Sequence, residues 1–157
     1  MALPRSLPPT IITSINVGLA LGGYVLTIPF KNDKFPGPAI ALWFRDFFQP
    51  GFISITTLAA LTLTTGFRAF RTKPASASEV HRAKAKTASR WAAAGLTFTL
   101  LHFTYGNTVL AIMDRISSKP EAAQTEMASW MSMHILRTLT TDIPAWLCFI
   151  GALTYEI

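Results

Sequence analysis

The sequence predicts an all-α fold: an integral membrane four-helix bundle with a short interfacial helix in its first loop. Three observations carry this. Half of the 157 residues are hydrophobic and only 14% are charged, with a mean hydropathy of +0.37, too little charge to cover the surface of a soluble domain of this size. Four windows reach the roughly 20 residues needed to cross about 30 Å of hydrocarbon. No sustained alternation of apolar and polar residues supports a membrane barrel, and no internal repeat is visible.

The chain reads as a single membrane domain, 1–157, with spans at about 10–30, 51–70, 90–113 and 132–155. Pro8 and Pro9 suit the start of the first span and Pro29 its end. One basic residue, Arg5, precedes it, and its apolar stretch is too long for a signal-peptide core, so it reads as a retained anchor. The first loop holds Phe35-Pro-Gly-Pro38, which is turn chemistry, then Trp43-Phe-Arg45-Asp46-Phe-Phe-Gln49, an aromatic and charged mixture suited to a helix lying at the interface. Pro50 precedes the second span. That span is rich in threonine, whose hydroxyl can return to the preceding turn's carbonyl and so be tolerated in lipid. Ser78 is a suitable N-cap for a third helix that begins in water and enters the membrane as one rod. The third connection, 114–130, is polar and helix-prone.

The net charge of +6 does not point to nucleic acid, because the basic residues lie between apolar runs and are not interleaved with stacking aromatics. They read as topology determinants. Seven Lys and Arg lie between Arg68 and Arg90, against about three in each flanking loop, which places that connection in the cytosol. Both termini are then cytosolic and the other two loops lumenal, as in a multi-pass protein of the endoplasmic reticulum. The single cysteine, Cys148, allows no intramolecular disulfide and no thiolate-rich metal site, and reads as a small buried hydrophobe.

Polar residues inside the spans carry the functional signal, because they are expensive in hydrocarbon. At ~1.5 Å of rise per residue, His102 and Asp142 both fall near mid-membrane and can pair between the third and fourth helices. His134 and Arg137 share a face of the fourth helix about one turn apart. Arg137 and Asp142, five residues apart, lie about 140° around a regular α-helix, so no salt bridge within the helix is expected. Tyr105, Asn107 and Trp130 lie toward the lumenal side, where Trp43 and Arg45 can fold over them. Bland readings stand beside these. His134 and Arg137 suit an interfacial helix end with a snorkelling arginine, His102 suits a packing histidine, and the aromatics suit a membrane-interface belt. Asp142 is the hardest to read this way, since a carboxylate at that depth needs a partner or takes up a proton.

No glycine-rich phosphate loop, HExxH pattern, serine elbow or CxxC is present. The estimated depths of His102 and His134 differ by more than ~10 Å, too much for two axial ligands of one haem iron. No metal or cofactor is therefore expected. The chemistry left is proton transfer by a histidine or aspartate in a dry pocket, with arginine stabilising a developing oxyanion.

Trp130-x-x-x-His134-x-x-Arg137 opening the fourth helix, Trp43-Phe-x-x-Phe47-Phe48 before the second, and Arg90-Trp91 with Phe103-Thr104 in the third resemble the anthrone oxygenase-like family of small four-helix membrane proteins, common in fungal polyketide pathways. The resemblance covers most of the chain. It implies oxidation of an activated CH2 in a hydrophobic aromatic polyketide by O2, without metal or flavin, as a monooxygenase of secondary metabolism. It also implies His134 as the base, Arg137 as partner of the phenolate, and Trp43 and Tyr105 as walls of the aromatic slot. The chain departs from the family pattern at His102, where a proline is usual, and at Ile112-Met-Asp-Arg115, where a Pro-Thr-Asn-like element is usual. A redox-neutral cyclase or isomerase using the same base is the enzymatic alternative. A non-enzymatic membrane scaffold is the other, and it would have paired polar groups and no ligand-sized cavity.

Overall fold

A computed structural model of the chain describes residues 3–32, 34–71 and 78–157. Lys73 and the rest of the basic stretch 72–77 lie outside the described residues. Among those described, regular structure is helical throughout and forms four rods. The first is α1 (Leu7–Thr27), prolonged by a 3-10 turn at Ile28–Lys31. The second is α2 (Gly37–Arg71). The third joins α3 (Glu79–Leu101) to α4 (Gly106–Ser118) through a 3-10 turn at His102–Tyr105. The fourth joins α5 (Ala123–Arg137) to α6 (Ile143–Thr154) through a π-helical turn at Thr138–Asp142. The first three rods are long and apolar enough to cross a membrane by length and composition, as an integral membrane protein requires. The fourth carries Arg137 and Asp142 at its centre.

The ends of the rods follow local chemistry. Pro8 and Pro9 sit in the first turn of α1, where a missing N–H is no loss, so the helix begins before residue 10. Ser6 precedes it and donates both its N–H (2.8 Å) and its hydroxyl (2.9 Å) to the Glu156 carboxylate. This ties the two ends of the chain together. Ser78 adopts extended backbone (φ −72°, ψ 134°), and its carbonyl accepts the Arg82 N–H at 3.1 Å, starting α3 where the sequence suggested.

The separate interfacial helix expected in the first loop is not what forms. Residues 37–49 are the opening turns of α2 itself, and Pro50 lies inside that helix. A proline there removes one backbone hydrogen bond and costs about 3 kcal/mol. Ile40 and Phe44, on the turns before it, are fully buried, and each such side chain stabilises by about 1.5–3 kcal/mol. Tertiary packing therefore outweighs the local break.

Threonine hydroxyls are satisfied within their own helices. Thr13, Thr56, Thr65, Thr99 and Thr141 each donate to the carbonyl four residues back, at 2.7–2.8 Å.

Packing is layered. At one end Ile40, Phe44, Ile112, Ile116, Met127 and Trp130 form a large-residue core. At the other, Ala69, Ala92 and Ala152 surround the fully buried Phe149. Two glycines let helices close on that ring: a Cβ at Gly66 would lie 2.9 Å from Phe149 Cζ, and one at Gly95 would lie 2.8 Å from Phe149 Cε2. The segments carrying the polar residues of the sequence lie between these cores. Gly95→Ala should therefore destabilise the protein by about 1–3 kcal/mol through overpacking, read as a lower thermal midpoint in detergent. An unchanged midpoint would show that the seam has slack.

Candidate active site

The π-helical turn sets the geometry of the middle layer. Pro144 has no N–H to give the Thr140 carbonyl, and its ring would press against that carbonyl in a regular helix. The chain widens instead, and the Ile143 N–H bonds to the Thr138 carbonyl, five residues back. Such a turn bonds residues five apart and so narrows the angle between them. Arg137 and Asp142 are thus brought onto one face, with Arg137 Nε 3.5 Å from Asp142 Oδ2. The expectation of no ion pair within this helix assumed regular α geometry and is corrected by the extra residue in the turn.

Asp142 is the hub of the layer. Its Oδ1 accepts from His102 Nδ1 at 2.7 Å, the pairing across the bundle that estimated depth suggested. Asn16 of α1 also reaches Oδ1, at 3.4 Å through Nδ2. The Asp142 and Arg137 side chains are only 3% and 9% exposed. Two charges so deeply buried are stable only as a pair.

His134 is held differently. Its Nε2 lies 2.8 Å from the Ala20 carbonyl, which can only accept, so this nitrogen bears the proton. Its Nδ1 accepts from an Arg137 amino group at 3.1 Å. The ring also stacks on Trp130, with centroids 4.6 Å apart and planes 14° from parallel. Both nitrogens of His134 are therefore engaged. For His102 the position is reversed: Nδ1 donates to a carboxylate, and Nε2 forms no hydrogen bond among the described residues. Of the two rings, only that of His102 keeps a nitrogen without a partner among the described residues.

A cavity of about 450 Å³ opens beside this layer, within the usual size of small-molecule sites. Arg137, His134 and His102 provide its polar end, and Phe47, Phe48 and Trp130 its aromatic wall. His102 and His134, which the simple rise placed at well-separated depths, both line it. Tyr105 and Asn107 line it too, with the Tyr105 hydroxyl 2.9 Å from Thr140 Oγ1. Trp43 stands one ring behind the wall, stacked on Phe47 at 4.6 Å and against Phe30 at 4.5 Å. Arg45 does not reach the cavity: it is 68% exposed and pairs with its neighbour Asp46, because continuing α2 as one helix turns it away from the core. Sequence reasoning overlooked Asn16, although an amide in an otherwise apolar span was a usable signal. It also overlooked Phe52, which the i, i+4 relation to Phe48 could have placed on the same face.

The charge pair yields a stability test. Asp142→Leu should destabilise by about 3–5 kcal/mol, because it strands the Arg137 guanidinium. Arg137→Met combined with Asp142→Leu should recover much of that loss, as read by denaturant titration in mixed micelles. A double variant as unstable as the sum of the two singles would rule out their coupling.

The sequence matches three curated fungal proteins. It is 40% identical over 67 residues to one named probable epoxidase scpX from Mollisia scopiformis, covering 41% of this chain and 42% of that protein. It is 39% identical over 71 residues to epoxidase pydX of an Acremonium species, covering 44% of each. It is 31% identical over 64 residues to epoxidase gkaX of Penicillium citrinum, covering 40% of each. The match thus spans about two fifths of the length of these relatives. Neither a protein-family model nor a solved structure matches the chain.

Proposed function

From the likeness of this chain to fungal proteins named epoxidases, which supports its resemblance to the anthrone oxygenase-like family, we propose that it is a membrane-embedded oxidative enzyme of secondary metabolism. Its substrate is an electron-rich phenolic polyketide that reacts directly with O2. The observation that carries this reading is a histidine oriented by a buried carboxylate and standing with a buried arginine at the polar end of an aromatic-lined cavity. A packed scaffold would have no use for a space of that size.

The base in this proposal is His102 rather than His134. With Nδ1–H held by Asp142, the neutral ring keeps its lone pair on Nε2, which can take a proton from a phenol or an acidified ring carbon. Arg137 stabilises the resulting phenolate. His134, stacked on Trp130 and bonded to Arg137, fixes the direction of the guanidinium. The carbanion then reduces O2 at carbon to give a peroxide.

On a ring CH2, loss of water from the hydroperoxide leaves a carbonyl. On a hydroquinone, the peroxide O–O bond breaks as one oxygen closes the epoxide and the other leaves as water. In both cases the substrate supplies all four electrons taken by O2, so no external reductant enters the balance. The apolar wall excludes water from the carbanion. The basic residues between Arg68 and Arg90 support a cytosolic connection, and so cytosolic termini, in the endoplasmic reticulum membrane.

Membranes carrying the protein should consume one O2 per molecule of anthrone oxidised, with 18O from labelled O2 entering the product and no dependence on added NADPH. His102→Gln should lower kcat by about 10²–10⁴-fold, the usual worth of a general base, and His134→Gln by less. The opposite ranking would return the base to His134. Product formed under strict anaerobiosis would replace this reading with a redox-neutral cyclase or isomerase.

A further inference from the structure

Of the nine helical glycines, Gly37 lies against the Pro120 carbonyl and Gly23 makes ordinary contact with Phe47 and His134; the other seven fall into two groups. At Gly66, Gly95 and Gly151 a Cβ would press on Phe149 or Trp91 at 2.8–3.0 Å, so the missing side chain serves close packing. At Gly18, Gly22, Gly51 and Gly106 a Cβ would meet nothing within 4 Å, and all four line the cavity. No glycine here has positive φ, so backbone conformation does not call for them either. Glycine within a helix is destabilising relative to alanine. These four therefore need another reason to be glycine, and what they share is the space in front of them.

They lie on three of the four rods that line the cavity. Gly18 and Gly22 lie one turn apart on α1, Gly51 follows Pro50 in α2, and Gly106 opens α4. The apolar side chains beside them, Leu19, Leu26, Phe52, Phe103 and Leu110, are 45–59% exposed on rods apolar enough to cross a membrane. The mouth of the cavity is thus an apolar slot in the exposed surface of these rods. At its far end lies Arg137, whose side chain is 9% exposed and ion-paired with Asp142.

We propose that Gly18, Gly22, Gly51 and Gly106 hold this slot open and set the width of the fused-ring substrate it admits from the lipid. The proposal rests on the reading of the cavity as the substrate site. It adds the residues that select by size, none of which touches the reacting atoms. Side chains placed at these positions would fill the slot without disturbing a packed neighbour.

The test uses the full chain in phosphatidylcholine nanodiscs, with anthrone (three fused rings) and 1-naphthol (two) as probes. Binding is read from the rise in thermal midpoint with ligand concentration. Gly22→Leu and Gly106→Leu should have unliganded midpoints at or above that of the unmodified protein. They should bind anthrone at least tenfold more weakly and keep 1-naphthol affinity within threefold. Gly22→Ala and Gly51→Ala should raise the unliganded midpoint and weaken anthrone binding less, which keeps the test decisive if a leucine variant fails to fold. Anthrone affinity unchanged across these variants overturns the proposal, and so does an unmodified protein that binds neither probe. Oxygen uptake separates the two readings. Size-selective binding without O2 consumption removes the oxidative reading and leaves the slot. Anthrone-dependent O2 consumption unaffected by the leucine variants removes the slot and leaves the oxidation.

Discussion

The buried Asp142 carboxylate is the constraint on which the rest of this structure depends. A carboxylate at that depth in an apolar bundle must be compensated, and three rods contribute to doing so. α1 offers Asn16, the third rod offers His102, and the fourth folds Arg137 back onto it. The contacts from Asn16 and His102 are available only when the helices stand in one register. The polar layer therefore specifies how the bundle assembles as well as what its centre can do.

The backbone contributes through one irregularity. A regular helix would carry Arg137 and Asp142 to different sides of the rod, leaving two unpaired charges in hydrocarbon. The widened turn before Pro144 converts these into a pair and at the same time aims Arg137 toward the cavity. π-helical turns are often found at functional sites, and here the reason is visible in charge compensation. The two apolar cores on either side fix the layer in place: large residues at one end, and small residues closing on Phe149 at the other.

Much of this was legible from residue types and spacing. Length and hydropathy located the rods, and depth along them paired His102 with Asp142. The face shared by His134 and Arg137 was also correct, since it needs only one turn of ordinary helix. What escaped depended on departures from regularity or on tertiary packing. The π-helical turn changed the angular step between Arg137 and Asp142. The burial of Ile40 and Phe44 carried α2 through Pro50, which put Trp43 behind the wall and Arg45 in the open. The proposal that His102 rather than His134 is the base also uses something residue types do not carry. It turns on which ring nitrogens already have partners, and that depends on the Ala20 carbonyl, a backbone group that no residue type announces. The open space before Gly22 and Gly106 is likewise a property of the assembled bundle, since the same residue type serves close packing at Gly66.

The account stands most directly on the protonation of one imidazole. Solid-state 15N NMR of the membrane-embedded protein, with His102 assigned through His102→Gln, reads both ring nitrogens. The account predicts a neutral ring protonated at Nδ1, with an unprotonated Nε2 and an Nδ1 resonance that shifts on Asp142→Asn. A ring protonated at both nitrogens at neutral pH, or at Nε2 alone, would contradict it.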